Sequence, residues 1–164
     1  MAIQNLKDVY LDQLQDIHSA NAQSMEIVTE LGRAAKNEEL SKALIAGNNG
    51  IADGLDKIKS LCKDHGVDPE GEFCKGMQGL VREARAHGLE QEFGDDDAHD
   101  AMIITQYQRM CHYAIAGYGC LMAFANRLGL DGDAAILKEC LDASYDGDRH
   151  MSAIAEKKVN AAAA

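Results

Sequence analysis

Three groups of residues carry side chains that could do chemistry. Cys111 and His112 are neighbours, a thiol beside an imidazole. Asp146, Asp148 and His150 lie close together near the C-terminus, and Asp95, Asp96 and Asp97 form a run of carboxylates. A thiolate activated by a base attacks carbonyl carbon, and imidazole with carboxylate or thiolate holds a transition metal. The spacings argue against each. Neighbours on a helix point about 100° apart, which is poor geometry for a thiolate–imidazole pair. Cys111 therefore reads as an inert buried thiol. Residues two apart on a helix also face apart, so Asp146, Asp148 and His150 read as a solvated face. The aspartate run suits a helix N-terminus, where the macrodipole favours negative charge. Arg82 and Arg85 are too few for a phosphate patch. His112 and Asp148, with Cys111 or Cys140, leave one alternative: a residual site for a single transition-metal ion. No catalytic residue is assigned.

The element that must position Cys111 and His112 is the stretch Ile103 to Leu128, IITQYQRMCHYAIAGYGCLMAFANRL. Apolar residues recur at Ile103, Tyr107, Met110, Ala114, Tyr118, Leu121, Phe124 and Leu128. That three-then-four spacing is one face of a helix. The middle of the face is small: Cys111, Ala114 and Gly117. Three more long helices are expected. The first runs from about Asn5 to Lys36, with Leu6, Val9 or Tyr10, Leu14, Ile17, Asn21, Met25, Val28 and Leu31 facing inward. The second runs from about Glu38 to His65 along Leu40, Leu44, Gly47, Ile51, Leu55 and Ile58. Gly47-Asn48-Asn49-Gly50 could mark a loop, since each interior Gly costs about 1 kcal/mol against Ala. The apolar period carries through it, which favours a continuous helix. The last runs from about Ala134 to Asn160, N-capped by Asp133. Gly66 and Pro69 stop the second helix. A short helix, about Glu72 to His87, and an acidic connector, Gly88 to Asp100, join the two hairpins. The pattern predicts an all-α, antiparallel four-helix bundle with an extra short helix in the long connection.

Length and composition set limits. The chain has 164 residues, which suits a single domain spanning 1–164. A domain of that size buries roughly two-thirds of its unfolded surface. Aromatic residues make up 5%, Trp is absent and Pro69 is the one proline. The formal net charge of −11 argues against nucleic acid and anionic membrane as partners. No apolar run approaches the roughly 20 residues of a membrane span, and the N-terminus has no signal pattern. Five cysteines form no CxxC, so reduced thiols in a cytoplasmic protein are expected.

Aligning the four inward faces by height brings Asn21, Gly47 and Gly50, Cys111 and Ala114, and Ala143, Ser144 and Gly147 to one level. Every helix is small or polar there. An empty belt would be costly at about 24 cal/mol per Å³. Something must fill it: inward-turned Tyr107, Tyr118, His18, His112 or Tyr145, closer helix approach, held water, or a small ligand.

Several segments together resemble the YciE/YciF family of ferritin-like bundle proteins over nearly the whole chain. They are Ser19-Ala20, Leu40 to Leu44, Cys74 to Leu80, His112 to Gly119, Leu141 and Asp148. The resemblance implies a bundle whose centre is like a di-iron carboxylate site, built from Glu and His on facing helices. This chain departs from that pattern on every helix. Asn21 follows Ser-Ala where the pattern has Glu. Gly47 and Gly50 stand for its His and Glu, and Cys111 and Ala114 flank His112-Tyr113 where it has Glu twice. Ala143-Ser144 replaces its paired Glu, and only Asp148 remains as a carboxylate.

These readings predict a metal-free, cofactor-free structural or interaction protein, homodimeric and with no catalysis, and the resemblance implies that it is stress-associated. The alternative is a binding module whose vacated mid-bundle pocket is formed by Asn21, Gly47, Gly50, Tyr107, Cys111, His112, Ala114, Tyr118, Ser144 and Asp148. A degenerate subunit pairing with a ligand-complete relative is a third possibility.

Overall fold

A computed structural model describes residues 2–164, all helix and connecting turns with no strand among them. The principal helices are α1 (Leu6–Ala34), α2 (Glu38–Asp64), α3 (Lys75–Arg85), α4 (Asp96–Arg127) and α5 (Asp131–Ile154). A π-helical turn, Ala86–Glu90, extends α3. Another, Ala155–Val159, leads from α5 into a last helical turn, Asn160–Ala163.

The helix starts follow local chemistry. Asn5 caps α1 by accepting from the Asp8 amide at 3.0 Å. Asn37 caps α2 by accepting from the Glu39 and Leu40 amides. Asp95 caps α4 by accepting from the Ala98 amide at 2.7 Å, so the aspartate run is a capping cluster. α4 consequently begins at Asp96, inside the stretch expected to be connector. Gly66 and Gly129 sit at φ +70° and +69°, the left-handed conformation that ends a helix. One cap differs from expectation. Asp133 lies inside α5, which starts at Asp131 with no side-chain cap. Its carboxylate is engaged elsewhere: it accepts from the Tyr10 hydroxyl at 2.7 Å and pairs with His65 Nε2 at 2.6 Å. Lys7 donates to the other ring nitrogen of His65 at 2.9 Å. That chain of contacts ties α1, α2 and α5 together at one end of the bundle. At the other end buried Asp100 accepts from the backbone amides of Lys36 and Asn37 at 2.8 and 2.6 Å. It holds the α1–α2 turn against α4.

The four long helices pack as two hairpins, α1 on α2 and α4 on α5. α2 is one helix through Gly47 and Gly50. Its buried stripe is Leu40, Leu44, Gly54, Ile58, Leu61 and Cys62; Leu55 is only partly buried, because Gly54 takes the inward position there. The hairpins meet along α1–α4 and α2–α5, and the second contact is the sparser. α3 lies across the first. Tyr113 on α4 fastens it there, donating to Asp16 of α1 at 2.9 Å and touching the Cys74 thiol at 2.9 Å. No helix of the described residues is long and apolar enough to cross a membrane.

Candidate functional site

The sparse α2–α5 contact opens at mid-height into a cavity of about 240 Å³. Its inner wall is Asn21, Ser24 and Val28 of α1 and Met110, Cys111 and Ala114 of α4. Its mouth runs between Ala46, Gly50, Asp53 and Lys57 of α2 and Glu139, Ala143 and Gly147 of α5. Ile51 is the one large apolar side chain that α2 and α5 bring to the opening, so the two helices leave a slot rather than a seam. Two tyrosines of α4 bracket it. They are three turns apart, about 16 Å along the helix. Tyr107 reaches between α2 and α5: a Cβ on Gly47 would lie 3.0 Å from its hydroxyl oxygen, and one on Gly147 3.2 Å. Tyr118 reaches the backbone of α2 at Gly54 and accepts from the Asn21 side-chain amide at 2.6 Å. The glycines of α2 are the places where these hydroxyls fit.

Of the residues named from the sequence, Asn21, Gly47, Gly50, Tyr107, Cys111, Ala114, Tyr118 and Ser144 line this cavity. His112 and Asp148 do not. His112 is 61% exposed and pairs with Asp148 at 3.0 Å outside the slot. Asp148 also accepts from the Gln108 side-chain amide at 3.1 Å. The turn of about 100° per residue that separates Cys111 from His112 explains this: the thiol faces in and the imidazole faces out. Of the expected fillers, Tyr107 and Tyr118 turn inward. Tyr145 is exposed, and His18 is buried on α1 outside the cavity lining.

The sequence reading missed Gly54 and the rim group Asp53, Lys57 and Glu139, and named Cys140 only as a possible metal ligand. Gly54 lies seven residues after Gly47, two helical turns on, and that spacing was the available signal. Lys57 bridges Asp53 at 2.9 Å and Glu139 at 3.1 Å, closing one end of the mouth. These contacts raise its pKa, as an ammonium between two carboxylates should.

The wall is chemically quiet. Burial raises the Tyr107 and Tyr118 phenols well above their ordinary range. Burial, with Asp148 nearby, pushes the Cys111 thiol up to about 12. Cys140 is raised chiefly by burial too. All four are neutral at physiological pH, so the slot offers no thiolate or phenolate. The Cys111 thiol donates to the Ser144 carbonyl at 3.3 Å, the contact of a packed thiol. The donors do not fit a di-metal centre. Two cations need several anionic oxygens, and the inner wall presents amide, hydroxyl, thiol and apolar groups. No group of three or more His, Cys, Asp or Glu is placed to hold a metal ion among the described residues.

Fold and site together define a class: an all-helical bundle of two hairpins with a neutral slot at mid-height. The chain belongs to the family described as a domain of unknown function (DUF892), whose model matches residues 5–164. It is 30% identical over 161 residues to protein YciF of Escherichia coli K12, covering 98% of this chain and 96% of that one. The crystal structure of the E. coli stress protein YciF superposes with a TM-score of 0.89 at 29% identity, over 96% of this chain and 99% of the other. YcfI of Rhodopseudomonas palustris, provisionally described as a structural protein, gives 0.85 at 29% identity, over 92% and 94%.

Proposed function

We propose that this chain is a ferritin-like bundle that binds a small neutral molecule at its centre instead of supporting metal chemistry there. The observation that carries the reading is the cavity of about 240 Å³ opening between α2 and α5. An engineered apolar cavity of about 150 Å³ already binds benzene. A ligand at a hundred times its Kd would stabilise the fold by about 2.7 kcal/mol. The test is a thermal-shift screen of neutral mono- and bicyclic aromatics against the full chain and Ala114→Leu, which fills the slot from α4. Stabilisation of the native chain, absent in Ala114→Leu, is the expected result. Equal responses in both would defeat the reading. Incubation with Fe(II) and Zn(II) should leave less than stoichiometric bound metal.

A second reading is a stress-associated structural bundle, favoured by the description of one relative as a stress protein and of another as a structural protein; that it acts in the cytoplasm as a homodimer is part of the same proposal. Sedimentation equilibrium tests its dimer, and a monomer at micromolar concentration would remove that part.

A further inference from the structure

We infer that the slot takes a neutral, planar, bicyclic aromatic molecule bearing a carbonyl oxygen, held by a hydrogen bond from the Tyr107 hydroxyl. The inference rests on the binding reading above and specifies its ligand.

Size and shape come first. The cavity of about 240 Å³ exceeds the roughly 150 Å³ that accommodates one benzene ring, so a second fused ring fits. Gly50, Ala143 and Gly147 all border the mouth. That part of the mouth is backbone and methyl groups, which admits a planar molecule edge-on between Tyr107 and Tyr118.

Polarity follows from what each wall group already does. The Asn21 amide donates to Tyr118. The Ser24 hydroxyl donates to the Asn21 carbonyl at 3.0 Å, and the Ser144 hydroxyl to the Cys140 carbonyl at 2.9 Å. The Cys111 thiol donates to the Ser144 carbonyl. The Tyr107 hydroxyl differs. Tyr107 is 93% buried by its 7% exposure, its oxygen lies between Gly47 and Gly147, and no hydrogen bond contributes to its raised pKa. Asn48 Oδ1 is the one fully enclosed side-chain polar atom without a partner among the described residues, so the unpartnered Tyr107 hydroxyl borders the open space of the slot, where a ligand can reach it. A phenol that stays neutral can donate, and a carbonyl oxygen is a good neutral acceptor for it.

Charge restricts the ligand further. Asp53 and Glu139 flank the mouth and occupy its cation, Lys57, in a chain of net charge −11. A carboxylate would meet repulsion there. An ammonium would find no carboxylate on the inner wall, and an unpaired buried charge is strongly disfavoured.

The experiment is calorimetric titration of the full chain with 1-indanone and with indane, the same bicycle without oxygen. Each is repeated on Tyr107→Phe, Ala114→Leu and Gly50→Leu. Tyr107→Phe removes a hydroxyl that holds nothing and should keep the fold. Gly50→Leu places its side chain in the mouth, where a Cβ meets nothing within 4 Å, and serves if Ala114→Leu misfolds. The expected result is that 1-indanone binds Tyr107→Phe about tenfold more weakly than the native chain. Indane should bind both alike, and the filled variants should bind neither probe. Equal 1-indanone affinity in native chain and Tyr107→Phe overturns the carbonyl assignment and leaves the pocket standing. So does an equal loss for indane, which would make the effect one of packing. No binding of either probe to the native chain, or undiminished binding to both filled variants, overturns the pocket as well.

Discussion

The two sides on which the hairpins meet use the same kind of residue to opposite effect. On the α1–α4 side, Gly117 faces Ile17, and a Cβ on that glycine would lie 2.7 Å from Ile17 Cδ1. On the α2–α5 side, Gly50 faces open space, with nothing within 4 Å of where its Cβ would be. The first glycine admits a large partner. The second shares the slot's edge with Ala143 and Gly147 of α5. A small residue therefore brings helices together only when the opposing helix supplies the volume. Where both are small, the same composition makes a slot. α3 adds to the asymmetry, because Tyr113 fastens it over the packed side and leaves the other uncovered.

The packed side should be the more sensitive to volume. Ile17→Ala empties a fully buried position and should cost about 2–5 kcal/mol in urea unfolding. Gly117→Val forces a branched side chain onto Ile17 and should cost about 1–3 kcal/mol. A neutral result for Gly117→Val would mean the close approach carries no constraint and would break the comparison. The slot side should respond with the opposite sign. Gly50→Ala adds a methyl in open space and removes an interior helix glycine, so it should stabilise by about 1 kcal/mol. A destabilised Gly50→Ala would show that α2 and α5 approach more closely than their backbones here do.

The same asymmetry explains what the sequence could and could not convey. The α2 helix was legible through Gly47 and Gly50 because Leu44, Ile51 and Ile58 keep the helical period on either side. The mid-height belt was legible because its residues interrupt apolar stripes. Asp133 was not, since what occupies its carboxylate comes from Tyr10 and His65, far away in the chain. The rim was hidden for a related reason. Asp53 and Lys57 are four apart on a helix, an ordinary pattern of a solvated face, and only packing brings Glu139 to them. The family resemblance groups Asp148 with the cavity, and its place beside Cys111 groups His112 with it, while the helices turn both away from it. Patterns within one helix report which face is buried. They do not report whether the facing helix fills the space.

The smallest expected effects are in the pH dependence, and the two regions should divide it. In the slot, burial holds the Cys111 thiol protonated up to about 12. The unfolded chain releases that proton near the ordinary thiol value, about 8.5. Above that value the unfolded state binds fewer protons than the folded one, so stability falls as pH rises. Cys111→Ala should make this alkaline limb shallower, the rest of it coming from Cys62, Cys74 and Cys140, whose thiols burial also raises, measured as urea midpoints between pH 8 and 10.5. On α1, buried His18 has its pKa lowered, chiefly by burial and also by Lys59, against the opposing pull of Glu70, Asp68 and the Pro69 backbone. Here the unfolded chain takes up a proton that the folded chain resists. Stability is therefore intact above about 6.5 and is lost as pH falls below it. His18→Gln should flatten that acid limb and leave the alkaline one unchanged. If Cys111→Ala altered the acid limb instead, the slot would hold a group that titrates in acid, and its neutrality, on which the choice of ligand depends, would fail.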